Sequence, residues 1–173
     1  MQSEPVSWDD YPPTQDELVH GQADGENANA RPSRICTGCQ AIEVAGRWRW
    51  SAECDEPAGL SCGISPAVLC PACRSCRENQ AAGTVLLEMT PSSQSEASLR
   101  EIVHAESRLL VEDDPMQRVI DIQRKENGLL VTTTTIELAR AIGEAVQRTM
   151  RGHLEMHYQK PARELRVRWL PWG

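Results

Sequence analysis

Four cysteines in two Cys-x2-Cys pairs carry the most direct chemistry in this sequence: Cys36-Thr37-Gly38-Cys39 and, thirty residues later, Cys70-Pro71-Ala72-Cys73. Each pair offers two thiolates from one tight turn whose amides can solvate the sulfur charge. Two such turns supply the four soft ligands that a tetrahedral Zn2+ takes. Gly38 and Pro71 both suit tight turns. The gap between pairs is longer than the usual ribbon spacing of about 15 to 20 residues, so the pattern points to a four-cysteine, zinc-ribbon-like site without naming a ribbon type. Buried or disulfide-bonded cysteine is the alternative, but seven cysteines is an odd number and paired x2 spacing is a poor disulfide framework. A site closed by four protein sulfurs has no open position for a substrate, so the expected role of the metal is structural.

Three cysteines fall outside this set. Cys76 lies one further x2 step beyond Cys73 and competes on spacing with Cys70 and Cys73, while Cys54 and Cys62 lie between the two pairs. A second metal site, a labile disulfide and no role at all are the three readings for them. The simplest closed site takes Cys36, Cys39, Cys70 and Cys73.

Beside the first pair, Arg47-Trp48-Arg49-Trp50 alternates with period two. As a strand it places two indoles on one face and two guanidiniums on the other. Exposed, the indoles would stack single-stranded or looped RNA while Arg47, Arg49, Arg74 and Arg77 met its phosphates. Turned inward, they would instead cover a metal site that has little apolar core of its own.

The elements that must position these residues fall into three stretches. Residues 1–33 are rich in Pro, Gly, Asn, Asp and Gln without an apolar period, and read as a disordered acidic leader; Trp8, Tyr11 and Leu18 within it would serve as a short partner motif if they serve at all. Residues 34–82 form the zinc-knuckle module, too small to fold securely on apolar burial alone. Residues 83–173 read as an α+β domain in the order strand, helix, hairpin, helix, hairpin. A strand is expected over Thr84–Met89, a helix over Glu96–Val111 after an entry at Pro91–Ser95, and a hairpin from Met116 to Thr134 turning at Asn127-Gly128 in type I′ geometry. Thr134-Thr135-Ile136-Glu137 has the form of a capping box for a helix running from Thr134 to about Met150. Leu154, Met156 and Tyr158, and then Leu165, Val167 and Trp169, alternate with polar residues as two half-buried strands. His153 and His157 would share a metal on a helix, but on a strand they lie about 13 Å apart.

The formal charge of −7 is uneven. Residues 1–30 hold seven acids and no Lys or Arg, leaving 18 acids against the 18 Lys and Arg of the rest. The rest is therefore balanced, without the broad positive field of a dedicated nucleic-acid binder. No apolar run approaches the roughly 20 residues of a membrane span, and the acidic first segment is the opposite of a signal or transit peptide. With its thiol-rich knuckles the chain reads as cytoplasmic. Phosphate-loop, dinucleotide, zinc-protease and nucleophile-elbow motifs are all missing, so no enzyme is expected.

Taken together, Cys36-Thr-Gly-Cys39, Gly46-Arg-Trp-Arg-Trp50, Leu69-Cys-Pro-Ala-Cys-Arg74, Leu130-Val-Thr-Thr-Thr134, Leu138-Ala-Arg-Ala-Ile-Gly-Glu144 and His157-Tyr158 resemble an uncharacterised bacterial zinc-knuckle family, over residues 35–169. More distantly the chain resembles the adaptor family that binds the large ribosomal subunit for nuclear export in eukaryotes. That likeness implies a zinc-binding adaptor that contacts ribosomal RNA or a ribosomal subunit. A thiol-based redox sensor that releases zinc through Cys54, Cys62 and Cys76, and a protein-interaction module docking through the α+β domain without RNA, are the competing expectations.

Overall fold

The computed structural model describes residues 34–50, 68–89, 96–160 and 163–172. The acidic leader, Cys54, Cys62 and the helix entry at Pro91–Ser95 lie outside them. Pro32–Gly173 forms one compact unit, mixed α/β with two sheets and, among the described residues, three helices.

The first sheet is small and antiparallel: β1 (Arg34–Ile35), β2 (Ile42–Val44) and β3 (Arg47–Arg49), in that order. Ala45 and Gly46 join β2 to β3 with φ of 51° and 83°. A two-residue hairpin loop with both φ values positive matches the right-handed twist of its strands. Helix α1 (Pro71–Glu78) follows, with Cys70 as its N-cap and Pro71 at the first helical position, where a missing N–H costs no hydrogen bond.

The larger sheet contains β4 (Gly83–Glu88), β5 (Val119–Lys125), β6 (Gly128–Thr133), β7 (Gly152–Gln159) and β8 (Glu164–Pro171) in the order β5-β6-β4-β8-β7. β4 runs parallel to β8, and the other pairings are antiparallel. Helix α2 (Glu96–Asp113) joins β4 to β5, and α3 (Ile136–Thr149) joins β6 to β7. The strands alternate as period two demands: Val85 and Leu87, Leu129 and Val131, and Leu165, Val167 and Trp169 are buried on one face. Leu99 and Val103 of α2 and Leu138, Ala139, Ile142 and Val146 of α3 close that core from above. α3 packs against β8, β4 and β7, and α2 packs on α3. On the opposite face Arg166 and Arg168 lie beside His157 and Glu155.

Two local expectations are corrected. The β5–β6 loop is Glu126-Asn127, closed by the pair Lys125↔Gly128, and neither loop residue has positive φ. Gly128 already belongs to β6; a Cβ there would lie 2.1 Å from the Leu87 carbonyl oxygen, so glycine is required by close approach and not by a type I′ turn. The cap of α3 is Thr135, whose hydroxyl accepts from Leu138 N at 3.3 Å. Thr134 is engaged elsewhere: its hydroxyl accepts from Arg118 N at 2.9 Å and donates to the Met116 carbonyl at 2.6 Å. His153 and His157 sit on β7, both exposed on its solvent face. Among the described residues no helix is long and apolar enough to cross a membrane.

Candidate metal centre

The thirty residues between the cysteine pairs are closed by backbone. Cys36 makes a parallel bridge with Val68, and Thr37 N donates to the Val68 carbonyl at 2.9 Å. The first knuckle turns tightly: Gln40 N donates to the Cys36 carbonyl at 3.0 Å, and Cys36 N to the Ala41 carbonyl at 2.8 Å. Gln40 completes this turn with φ of 66°. The second knuckle is the first turn of α1, in which Arg74 N donates to the Cys70 carbonyl at 3.0 Å.

This frame brings the Sγ atoms of Cys36, Cys39, Cys70 and Cys73 within 4.8 Å of one another. The Cys39 and Cys70 sulfurs are 3.7 Å apart. A tetrahedral ion with metal–sulfur bonds of about 2.3 Å sets sulfur–sulfur edges near ~3.8 Å, whereas a disulfide needs about 2.05 Å. The cluster has the dimensions of a metal site, and all four thiols are free.

The surroundings fit an ion held by thiolates. Cys36 Sγ accepts from Gly38 N at 3.3 Å and from Cys70 N at 3.2 Å, and Cys70 Sγ accepts from Cys73 N at 3.4 Å. The charge on both buried sulfurs is thereby met by amides of the same or the opposite turn. A Cβ on Gly38 would stand 2.9 Å from Cys73 Sγ, so a side chain at this position would intrude on the cluster. Cys36 and Cys70 are fully buried, and Leu69, Trp48 and Met116 pack around them.

The thiols do not titrate alike. Burial opposes ionisation of Cys36, but amides of Cys70, Cys39 and Gly38 outweigh it and bring this thiol down to about 6. Burial, joined by the Cys36 and Cys39 sulfurs and opposed by the Cys73 amide and thiol, pushes Cys70 up to about 11; burial and all three neighbouring sulfurs push Cys73 higher still. Four thiolates in so small a buried volume would need a cation among them, and the cluster is compatible with a divalent ion in that role.

The other candidates separate. Cys76 is half-buried on α1 outside the four-sulfur cluster, and burial pushes its thiol up, with Arg118 pulling the other way. That is not the environment of an activated thiolate. Cys54 and Cys62 lie outside the described residues. Arg49, Arg74 and Arg77 are exposed, and Arg47 is half-buried.

Trp48 and Trp50 are both half-buried and have separate duties. Trp48 packs against the buried cysteines. Trp50 reaches the main body, its Nε1–H donating to the Val111 carbonyl at 2.6 Å. Val111 lies in the last turn of α2, and the residue four positions on, Pro115, has no N–H to offer it. Trp50 therefore satisfies a carbonyl that the helix cannot. Arg118 sits over the same indole, 5.7 Å from its centroid, within cation–π range. Sequence reasoning did not place Trp50 here; Pro115 four residues after Val111 is the signal that an outside donor is required.

Comparison with protein-family models, with curated proteins and with solved structures found no match.

Proposed function

We propose that this chain is a non-enzymatic zinc-binding adaptor in which Cys36, Cys39, Cys70 and Cys73 hold one Zn2+ and the ion's work is structural. The observation that carries this reading is the closed tetrad with amide donors on its buried sulfurs. All four ligands are soft, which selects zinc over the oxygen-seeking divalent ions, and no ligand position is left for chemistry on a substrate.

The partner we propose is a structured RNA of the kind a ribosomal subunit presents. Support comes from the exposed guanidiniums of Arg49, Arg74 and Arg77 on the module that the metal shapes, since planar guanidinium forks match phosphate geometry. The half-buried positions of Trp48 and Trp50 move the expected contacts from base stacking to phosphate.

Metal analysis of the purified chain tests the first half, with one zinc per chain expected. Sedimentation with ribosomes tests the second. The triple variant Arg49→Gln, Arg74→Gln, Arg77→Gln should weaken association and flatten the salt dependence by about two to three in log–log slope, the share of three phosphate contacts. Association that survives both nuclease and the triple variant would replace the RNA partner with a protein one.

A further inference from the structure

Trp172 is 67% exposed, more than any other large apolar side chain among the described residues. It stands one position beyond the ladder pair Gly152↔Pro171, opposite Arg151. Its backbone N–H donates to the Arg151 carbonyl at 3.4 Å, which holds the two residues together. Cross-strand partners share a face with their Cβ atoms about 5 Å apart. An open indole and an exposed guanidinium therefore stand side by side.

Both residues line an open cleft of about 460 Å3, with Gln147 and Arg148 at the end of α3 on its other side. Gly152 lines it too, and a Cβ there would fall 2.4 Å from the ring of buried Trp169. The cleft is thus built directly on the core, where a side chain at Gly152 would not fit.

We infer that this cleft holds one unpaired nucleotide, its base stacked on Trp172 and its phosphate on Arg151. The inference rests on the RNA reading proposed above and supplies the stacking contact that the half-buried Trp48 and Trp50 leave unfilled.

Charge and shape both favour this ligand. The end of α3 carries about half a negative charge, which the full positive charge of Arg151 outweighs. Arg148 is paired with Glu106 at 3.4 Å and adds little net charge. A guanidinium fork matches phosphate, and an indole accepts any base on its face. The exposed Gln147 amide both donates and accepts, as the edge of a stacked base requires. A free small ligand is usually enclosed over most of its surface, whereas an open cleft lets a strand enter and leave.

Fluorescence anisotropy of the full chain with two labelled RNAs tests this: a hairpin with an unpaired loop, and the same stem extended as a closed duplex. Wild type should prefer the looped RNA. Trp172→Ala should raise the Kd for it by about five- to 150-fold, the worth of one base stack, without changing the salt slope. Trp172→Phe keeps a ring and should stay within about threefold of wild type. Arg151→Gln should instead flatten the slope by about 0.7 to 0.9. If both RNAs bind and Trp172→Ala changes neither, this inference falls while the RNA reading stands; if neither RNA binds, both fall. Ribosome sedimentation that depends on Trp172 but survives nuclease would assign the cleft to a protein ligand and overturn the inference. Should Trp172→Ala lose its far-UV circular dichroism, crosslinking of wild type to the hairpin carrying 4-thiouridine in its loop decides. An adduct on the peptide containing Trp172 is expected, and adducts confined to other peptides overturn the inference.

Discussion

Replacing Cys70 with serine isolates the metal's contribution, because the substitution spares the other duty of this residue. Cys70 is the N-cap of α1 and its sulfur accepts from Cys73 N. Serine is among the best N-caps and accepts the same kind of bond, so the helix start is retained. What is lost is one of the four thiolates proposed to hold the ion. Structural zinc binding is worth about 10–16 kcal/mol in small modules. An even share per ligand is about 2.5–4 kcal/mol, or roughly 10²- to 10³-fold in zinc Kd at about 1.4 kcal/mol per decade. Competition against a chelator of known affinity measures this directly, and Trp48, packed on the buried sulfurs, supplies a fluorescence signal for the apo state. The larger sheet should keep its circular dichroism, since its buried core of Val85, Leu87, Leu129, Val131, Val167 and their helical partners includes no cysteine. A Cys70→Ser chain that holds zinc as tightly as wild type would refute a four-sulfur site that includes Cys70. Cys76→Ser is the matched control and should leave zinc affinity within about twofold, because its sulfur lies outside the cluster.

Trp50→Phe should destabilise the chain by about 1–3 kcal/mol, chiefly through an unsatisfied Val111 carbonyl, with a weaker Arg118 contact on the smaller ring; equal urea midpoints for mutant and wild type would contradict it. A third prediction concerns acid. Glu96 has its carboxyl held below the ordinary range by its hydrogen bond to Arg100 and by Arg124, against a smaller opposing effect of burial. A depressed carboxylate contributes stability above its unfolded pKa, and that contribution fades as pH falls through the folded value. Glu96→Gln should therefore lower stability at pH 7 and converge with wild type at strongly acidic pH; a constant difference across a pH series of thermal melts would exclude the linkage.

What the sequence disclosed was chemistry tied to residue type and short spacing. The two knuckles were legible because thiols at x2 separation have few other uses, and the strands of the larger sheet because Leu165, Val167 and Trp169 alternate with charged residues. The helix over Glu96–Asp113 was legible for the same kind of reason, through Leu99, Ile102 and Val103 at helical spacing. Features settled by tertiary demand were hidden. Asn127-Gly128 has the letters of a type I′ turn, yet Gly128 is needed for clearance from Leu87, and the positive-φ pair falls instead at Ala45-Gly46. The capping-box pattern picks Thr134, but the loop at Met116–Arg118 claims its hydroxyl and the cap falls to Thr135. Two indoles at period two read as one face of a strand. β3 ends at Arg49, however, which frees Trp50 to turn toward the end of α2.

Trp50 also explains how a module with so little core is tied to the sheet beside it. Among the described residues the buried set around the sulfurs is Cys36, Cys70 and Ala72, and Met116, which belongs to the segment after α2, packs against it. Arg118, two residues further on, lies over Trp50, and Thr134 fixes the backbone of Met116 and Arg118 from the end of β6. A continuous set of contacts thus runs from the ligands through Met116, Arg118 and Thr134 to the start of α3. Packing at the metal and packing in the larger sheet share the segment from Met116 to Arg118, so tightening either one favours the ordered arrangement of the other. An ion bound at the cluster is then expected to stabilise more than its own knuckles, through side chains that make no contact with it.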